Sequence, residues 1–326
     1  MNKIINIVEI NDYTALKLSE FIFTTKEWLS FLEKEKKGKP LVLKIIFNNK
    51  NIFFVSLLYK NVFKMCGSPF EGWNTPYMGF INLNLLDDDE KEIVIKKVVN
   101  YLKHRSHCSY IQICDWNIDI EFAKNNCFKY EVRKTYFKDI SNAEDILFAE
   151  FKNDVRTNHR AFIRNGLRIK IAEPSKLFME KYYDQLIDVF KKRQLVPHYH
   201  LSRLYNLIDA FTNESKHLFL EQVYLEDESK CIATGIFLIY KKRLYFFGAA
   251  SYRDYQILRP NEEVIWNAIR HAKSLGCTEF DMMGLGKYKE KFKPEMKEIP
   301  VLYFQRLPFL HFFKKLVSKR LHKRFK

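Results

Sequence analysis

A basic segment near the carboxyl end of the chain has the residue types best suited to chemistry on an anion. It contains Gly284 and Gly286 and then four lysines at alternate positions, namely Lys287, Lys289, Lys291 and Lys293. A short strand is predicted just before it, over residues 278–283, with Asp281 inside. A strand that ends in such a loop can surround a developing oxyanion with amide and ammonium groups. The alternative is a solvated basic loop, with Asp281 as a buried structural carboxylate that caps the loop amides.

A helix that positions this loop is predicted over residues 261–275. Asn261 is the predicted N-cap, and Glu262 and Glu263 suit the positive end of the helix. The apolar residues recur at helical spacing and form one stripe: Val264, Ile265, Ala268, Ile269, Ala272 and Leu275. Gly276 is expected to end the helix in the left-handed conformation.

A second basic feature lies in residues 148–170. Arg156, Arg160 and Arg164 are four apart, which places them on one face of a predicted helix that Gly166 ends. Guanidinium groups suit phosphates and carboxylates. The three arginines therefore form either a phosphate-binding row or a solvated basic face.

A long loop in the first half, residues 67–79, is rich in glycine, proline and aromatic residues. Loops of this length are often functional. Its Trp73 and Tyr77 could stack on a sugar, or they could fold back on the core.

Composition limits the class of protein. The 326 residues carry a formal net charge of +16, and 47% of them are hydrophobic. This indicates a globular chain with an anionic partner such as RNA, a nucleotide, a phosphate-bearing substrate or an anionic membrane surface. The six cysteines form no CxxC pair or zinc-type spacing, so we expect reduced thiols and no metal.

Several common catalytic motifs are absent from the sequence. It has no GxSxG elbow, Walker A loop, GxGxxG or HExxH. These absences argue against an ATPase and a metal enzyme, and they leave open transfer chemistry without a covalent nucleophile. No signal peptide and no run of ~20 apolar residues is found, so a cytoplasmic protein is expected.

Both halves of the chain repeat one order of elements. A three-stranded meander, a helix and a further strand occur in each, with meander strands at 41–47, 52–59 and 62–66, and again at 218–225, 232–240 and 243–250. This predicts an α+β fold of two tandem units, each a mixed, mostly antiparallel sheet flanked by helices. The predicted domains are 1–142, 143–305 with the active site, and a basic amphipathic tail at 306–326.

The ordered set of motifs resembles the GNAT superfamily, in particular its Fem-like branch and the related polysaccharide-cluster acyltransferases. The matching segments are GSPFEGWNTPYMGF, RTNHRAFIRNGLRI, LRPNEEVIWNAIRHAKSLGCTEFDMMG and YKEKFKPE. The resemblance implies two tandem GNAT-like domains that transfer an acyl or aminoacyl group to an amine of a cell-envelope precursor. It also implies that Lys293, in the pair Phe292-Lys293, stabilises the oxyanion, with Lys291 as the second candidate.

One segment departs from the pattern of coenzyme-A-dependent GNAT enzymes, which have a glycine-rich pyrophosphate loop before the corresponding helix. This chain has Ile257-Leu258-Arg259-Pro260-Asn261 there, without glycine and with a proline that lacks an N–H. We expect Arg259, Asn261, Arg156 and Arg160 to hold donor phosphates. The expected donor is an acyl-CoA, and aminoacyl-tRNA is the alternative.

The acceptor is expected to be an amine on a nucleotide- or lipid-linked sugar or peptide. Trp73, Tyr77, Arg193 and Tyr252 are its candidate contacts, and Asp281 would orient the acceptor or act as base. Two other classes remain open, namely a non-catalytic RNA-binding protein and a membrane-surface scaffold. Either the enzyme or the scaffold could touch the inner face of the membrane through the basic tail.

Overall fold

The computed structural model describes residues 5–60, 63–191, 194–307 and 310–311. Close contacts divide the chain into two units. Unit one contains the described residues of 1–134 and 298–311, and unit two contains those of 135–297. The domain limits at 142 and 305, which were predicted from the repeated order of elements, stay a prediction.

The secondary structure is mixed. The strands are β1 (Ile5–Ile10), β2 (Lys39–Phe47), β3 (Lys50–Lys60), β4 (Lys64–Ser68), β5 (Gly79–Ile81), β6 (Tyr110–Cys114), β7 (Tyr130–Asp139), β8 (Arg168–Ala172), β9 (Leu218–Tyr224), β10 (Cys231–Tyr240), β11 (Arg243–Ser251), β12 (Glu279–Asp281) and β13 (Glu295–Gln305). The α-helices are α1 (Lys26–Lys36), α2 (Asp88–His104), α3 (Ile120–Asn125), α4 (Glu144–Glu150), α5 (Asn153–Arg164), α6 (Lys176–Lys191), α7 (Leu201–Ala210) and α8 (Pro260–Ser274). None of these described helices is long and apolar enough to cross a membrane.

Unit one is a mostly antiparallel sheet in the order β1-β2-β3-β4-β6-β13, and only β4 and β6 run parallel. The hairpin between β2 and β3 turns at Asn48 and Asn49, both at positive φ, which asparagine tolerates well. Helix α2 connects β4 to β6 and begins at the N-cap Asp87, whose side chain accepts from the Glu90 N–H.

Unit two repeats this plan in the order β7-β12-β11-β10-β9-β8, where β11 and β12 are the parallel pair. Helix α8 connects them. Its buried stripe lies against the sheet, as predicted, although Leu275 is exposed. Gly235 of β10 permits the close packing, because a Cβ there would lie 2.5 Å from Val264. The predicted α+β fold of two units, each a mixed, mostly antiparallel sheet flanked by helices, is therefore confirmed.

Some elements differ from the predictions. The patterns did not predict β1, β5, β8, β13 or α4. Residues 295–305, for which no strand was predicted, form strand β13, where Leu302 pairs with Ile113 of β6. The basic residues of the tail, from 314 onward, lie outside the described residues. Gly276 and Gly166 do have positive φ at the ends of α8 and α5, as expected.

Candidate active site

The parallel pair of unit two opens after three residue pairs. Strands β11 and β12 pair at Arg243–Glu279, Leu244–Phe280 and Tyr245–Asp281. Strand β12 ends there, but β11 continues to Ser251. The ladder therefore leaves a gap beside the second half of β11, at the carboxyl ends of the two parallel strands. This is the edge at which α/β proteins place ligand sites.

A cavity of about 340 Å³ lies beside this part of β11. Its wall combines residues of β11, the start of α8, helix α6 and the basic loop. They are Val189, Phe246, Ala249, Ala250, Ser251, Gln256, Arg259, Asn261, Glu262, Ile265, Tyr288, Lys291 and Phe292. An apolar floor with a few charged groups is typical of small-molecule and acyl-group sites.

The corresponding gap in unit one is filled by its own chain. The β4–β6 ladder ends at Ser68–Ile113. There the Gln112 Nε2 donates to the Pro69 carbonyl at 2.9 Å, and the Phe80 N–H donates to Asp115 at 2.5 Å. Helix α2 also begins with four acidic residues, which disfavour an anion at that end: Asp87, Asp88, Asp89 and Glu90. The open gap of unit two is thus the better candidate site.

Arg259 starts the helix that borders the cavity. It is the residue before the first helical position and adopts the left-handed conformation, with φ of 65°. Pro260 occupies the first helical position, which suits its fixed φ and missing N–H. Asn261 therefore lies inside the first turn and is not the N-cap, so that prediction is wrong. Both Arg259 and Asn261 line the cavity.

Lys291 lies in the opposite wall and is held by two carboxylates. Its Nζ is 2.8 Å from Glu262 Oε1 and 3.1 Å from Asp154 Oδ2. Burial lowers the pKa of Lys291, but the hydrogen bonds and charges of Glu262 and Asp154 outweigh burial and raise the pKa above its usual value. Lys291 therefore stays cationic, and the two acids balance its charge.

Lys293 is exposed and does not belong to the cavity wall. It has φ of 47° and ends the short 3₁₀ turn Lys289–Phe292, with its N–H bonded to the Glu290 carbonyl. Its neighbour Phe292 is buried and packs on Phe151 at a ring distance of 5.1 Å. The backbone thus fixes the position from which the Lys293 side chain extends. The oxyanion role of Lys293 stays a prediction.

Asp281 is fully buried at the end of β12. It accepts from Thr135 Oγ1 at 3.1 Å and from the Met283 N–H at 2.7 Å. Thr135 Oγ1 in turn accepts from the Gly284 N–H at 2.8 Å. These contacts match the interpretation of Asp281 as a carboxylate that organises the loop amides, and its role with the acceptor stays a prediction.

Helix α5 borders the site, but its arginines differ in what they do. The Arg156 guanidinium donates to the carbonyls of Ala149 at 2.6 Å and Phe151 at 3.2 Å, so it caps the end of α4. Arg160 and Arg164 are exposed. The amino end of α5 reaches the cavity wall through the contact between Asp154 and Lys291.

Comparison with protein families gives a match over most of unit two. The family model described as an acetyltransferase (GNAT) domain matches residues 149–293. Over these residues the chain is similar to GNAT acetyltransferase domains. The match includes β11, α8, β12 and the basic loop, which together form most of the cavity wall. No curated protein matches the sequence.

Solved structures share the fold across most of the chain. FemX has a TM-score of 0.72 at 12% identity, and the match covers 90% of this chain and 96% of FemX. L-PGS from Bacillus licheniformis has a TM-score of 0.53 at 13% identity, with 92% and 97% covered. A conserved protein of unknown function from Bacteroides thetaiotaomicron has a TM-score of 0.55 at 11% identity, with 85% and 89% covered. At these identities the likeness concerns the fold alone.

Of the candidate acceptor residues that the structure describes, none is a lining residue of the cavity. Trp73 is 5% exposed and Tyr77 is fully buried, each among aromatic rings of unit one, such as Phe70 beside Trp73 and Phe21 beside Tyr77. Their positions match the alternative in which the loop packs on the core. The Tyr252 hydroxyl donates to Asp184 of α6 at 2.5 Å. Arg193 lies outside the described residues. The acceptor roles of all four stay predictions.

Two residues of the site were missed as site residues by sequence reasoning. Glu262 was assigned only to the first turn of the helix, yet it lines the cavity and holds Lys291. Lys289 was one member of the lysine run, yet it is only 7% exposed, and burial lowers its pKa to about 8, although the Asp281 charge opposes this. The only sequence signal for Lys289 was its place in the run of alternating lysines. That pattern does not distinguish a buried lysine from its exposed neighbours.

Proposed function

We propose that the protein is an N-acyltransferase whose active site is the cavity beside β11. The observation that carries the proposal is the open gap after Tyr245–Asp281, lined by an apolar floor and by two cations, Arg259 and Lys291. The apolar floor suits an acyl chain or side chain, and the cations suit an anionic carrier. The position of the gap inside the matched GNAT domain supports the same assignment.

The proposed reaction is direct attack of an amine on the donor carbonyl. The nitrogen lone pair forms the new C–N bond, the carbonyl oxygen gains charge, and the bond to the leaving sulfur or oxygen then breaks. The cavity wall contains no cysteine, and its serine, Ser251, accepts a hydrogen bond from Gln256 Nε2 at 3.2 Å. This agrees with transfer without a covalent enzyme intermediate.

Lys293 is the proposed oxyanion group, because it follows Phe292 of the wall directly and carries a flexible side chain. Lys291 is the second candidate, since its ammonium already lines the cavity. Within the described residues, the side chain of Lys293 has no hydrogen bond or ion pair, so its ammonium can turn toward a bound donor. The proton lost by the amine leaves to solvent, to the substrate or to a carboxylate such as Asp281.

The donor is proposed to be held by side chains more than by backbone amides. Several N–H groups between β11 and α8 are already bonded: that of Arg253 to Asp188 at 2.8 Å, that of Tyr255 to the Tyr252 carbonyl, and that of Arg259 to the Gln256 carbonyl. Pro260 has no N–H. A thioester donor such as acyl-CoA would thus rely on Arg259 and not on an amide cradle. The same observation favours the second candidate, an aminoacyl-tRNA donor used as in the Fem enzymes.

The acceptor is proposed to be an amine of a nucleotide- or lipid-linked sugar or peptide of the cell envelope. A basic tail would suit a site of action at the inner face of the membrane, because Lys and Arg are attracted to anionic lipid. This is tested by sedimentation with anionic and neutral vesicles, comparing the full chain with a chain that ends at residue 311. Equal sedimentation of the two would remove the membrane proposal.

The experiment for the function itself has two stages. The first is thermal shift of the full chain with acetyl-CoA, longer acyl-CoAs and charged tRNA, since a ligand of the folded state raises the unfolding temperature. The second is turnover with the donor that binds, using acceptors that carry or lack a free amine, followed by mass spectrometry. Transfer to the amine alone supports the proposal. No shift and no transfer with any donor would refute it and favour a binding protein.

A further inference from the structure

The strongest observation not yet explained by the proposed reaction is the burial of a lysine at the closed end of the gap. Lys289 is 7% exposed. Its Nζ donates to the carbonyl of Met282 at 2.6 Å and to that of Gly284 at 3.2 Å. Both carbonyls follow the last β11–β12 pair and therefore have no ladder partner on β11. Lys289 supplies the donors that this end of β12 lacks.

The same ammonium contacts aromatic rings of the cavity wall. It lies 5.2 Å from the ring centre of Phe246 and 5.7 Å from that of Tyr288. Phe246 is the first residue of β11 beyond the last pair with β12, and Tyr288 belongs to the basic loop. One buried cation thus contacts both strands of the gap and the loop that closes it.

We propose that Lys289 is a positioning residue that fixes the basic loop against the end of β12 and so sets the cavity wall formed by Tyr288, Lys291 and Phe292. The proposal rests on the proposed function for its kinetic consequence. Its structural consequence, a loop ordered by one ammonium group, is independent of any activity.

The charge state of Lys289 should control the order of this loop. Burial lowers its pKa to about 8, and among the described residues the titratable groups that face it are Asp281 from β12 and Tyr288 from its own loop. Phe246 from β11 is neutral. Above pH 8 the ordered loop gives up the Lys289 proton, whereas the open loop keeps it up to the ordinary lysine pKa of 10.5, so order becomes more favourable as the pH rises through this range. The neutral amine still donates to the two carbonyls.

The test compares Lys289→Met, which keeps the length of the side chain but has no donor, with Lys287→Met, a control at an exposed lysine of the same loop. Hydrogen–deuterium exchange of residues 284–293 is measured from pH 6.5 to 9.5 and corrected for intrinsic exchange. The wild-type loop should gain protection as the pH rises above 8. The Lys289→Met loop should exchange about tenfold faster at pH 7 and show no such transition, and Lys287→Met should behave as wild type.

Kinetics with the donor identified above should show a higher KM for Lys289→Met, by about tenfold, with a smaller change in kcat. Equal protection in wild type and Lys289→Met across the pH range would overturn the proposal. Should Lys289→Met fail to fold, the wild-type pH series decides, because protection that does not change through pH 8 excludes the role. If no donor supports turnover, the proposed function fails while the exchange result still tests Lys289.

Discussion

The Lys291 ammonium and the Glu262 carboxylate form an ion pair of 2.8 Å within the wall of the cavity. Lys291 comes from the basic loop and Glu262 from the first turn of α8, so the pair joins two walls of the site. Asp154 of α5 adds a second carboxylate at 3.1 Å. The site therefore carries less positive charge than its sequence suggests, and its affinity for anions depends on how strongly these acids hold Lys291.

Glu262→Gln should strengthen the binding of an anionic donor. The substitution keeps the shape of the side chain and removes one negative charge, so Lys291 becomes available to a phosphate or to the oxyanion. Because partly exposed ion pairs contribute little net energy, we expect a decrease in the Kd for the donor of about threefold, with a steeper salt dependence. Isothermal titration at two salt concentrations measures both. Glu295→Gln, at an exposed position of β13, is the control. An unchanged or larger Kd for Glu262→Gln would show that Glu262 does not compete with the donor for Lys291.

Lys293→Ala tests the oxyanion assignment. Loss of one group that stabilises an oxyanion lowers kcat by about 10²–10³-fold. Binding of the donor should change little, because Lys293 is exposed and outside the cavity wall. Lys287→Ala is the matched control from the same loop, and Lys291→Ala should instead raise the KM for the donor. Full turnover by Lys293→Ala would transfer the oxyanion role to Lys291.

Arg259→Gly should separate stability from donor binding. Arg259 has φ of 65°, and the left-handed conformation costs a non-glycine residue about 1 kcal/mol. Glycine removes that cost, so the unfolding temperature should rise, while loss of the guanidinium should raise the KM for the donor by about tenfold. Lys241→Gly, at φ of 52° in the turn between β10 and β11, is the control and should stabilise without any change in KM. A stabilised Arg259→Gly with normal KM would show that Arg259 has only a structural role.

The sequence predicted the elements around the site because their signals are local. The apolar stripe of α8 and the strands β9 to β11 follow directly from hydrophobic spacing and turn residues. The helix ends at Gly276 and Gly166 could be predicted for the same reason, because a glycine at a helix end is a local signal. The N-cap was misplaced at Asn261 because a left-handed Arg259 is a tertiary outcome. Pro260 then occupies the first helical position, which puts the N-cap two residues earlier than predicted.

What the sequence did not reveal depends on contacts between distant segments. Strand β13 follows the residues of unit two in the sequence, so its partner β6 lies almost two hundred positions away, and no local pattern predicts that pairing. The burial of Lys289 and the pair of Lys291 with Glu262 arise where a loop meets a strand end and a helix start. The sequence left two interpretations of Trp73 and Tyr77 open, because aromatic residues occur both in hydrophobic cores and in sugar-binding sites. The structure is needed to show that both side chains are buried.

Asp115 should make the stability of unit one depend on pH. It is fully buried, and burial raises its pKa to about 7, although hydrogen bonds from the N–H groups of Phe80 and Asn117 oppose this. Between about pH 4 and 7 the folded chain keeps a proton that the unfolded chain has lost. Stability should therefore fall as the pH rises through this window, by at most about 4 kcal/mol, and stay low above it.

Asp115→Asn removes this titration but leaves one backbone N–H facing an amide group, so the variant should be less stable than wild type at pH 4.5. The difference in unfolding free energy between wild type and variant should shrink as the pH rises to 8, because only wild type loses the proton. Urea unfolding at pH 4.5, 6 and 8 measures it. Asp89→Asn, at an exposed position in α2, is the control and should give a constant difference. Parallel curves for wild type and Asp115→Asn would mean that Asp115 is already ionised in the folded chain, and that its backbone donors outweigh burial.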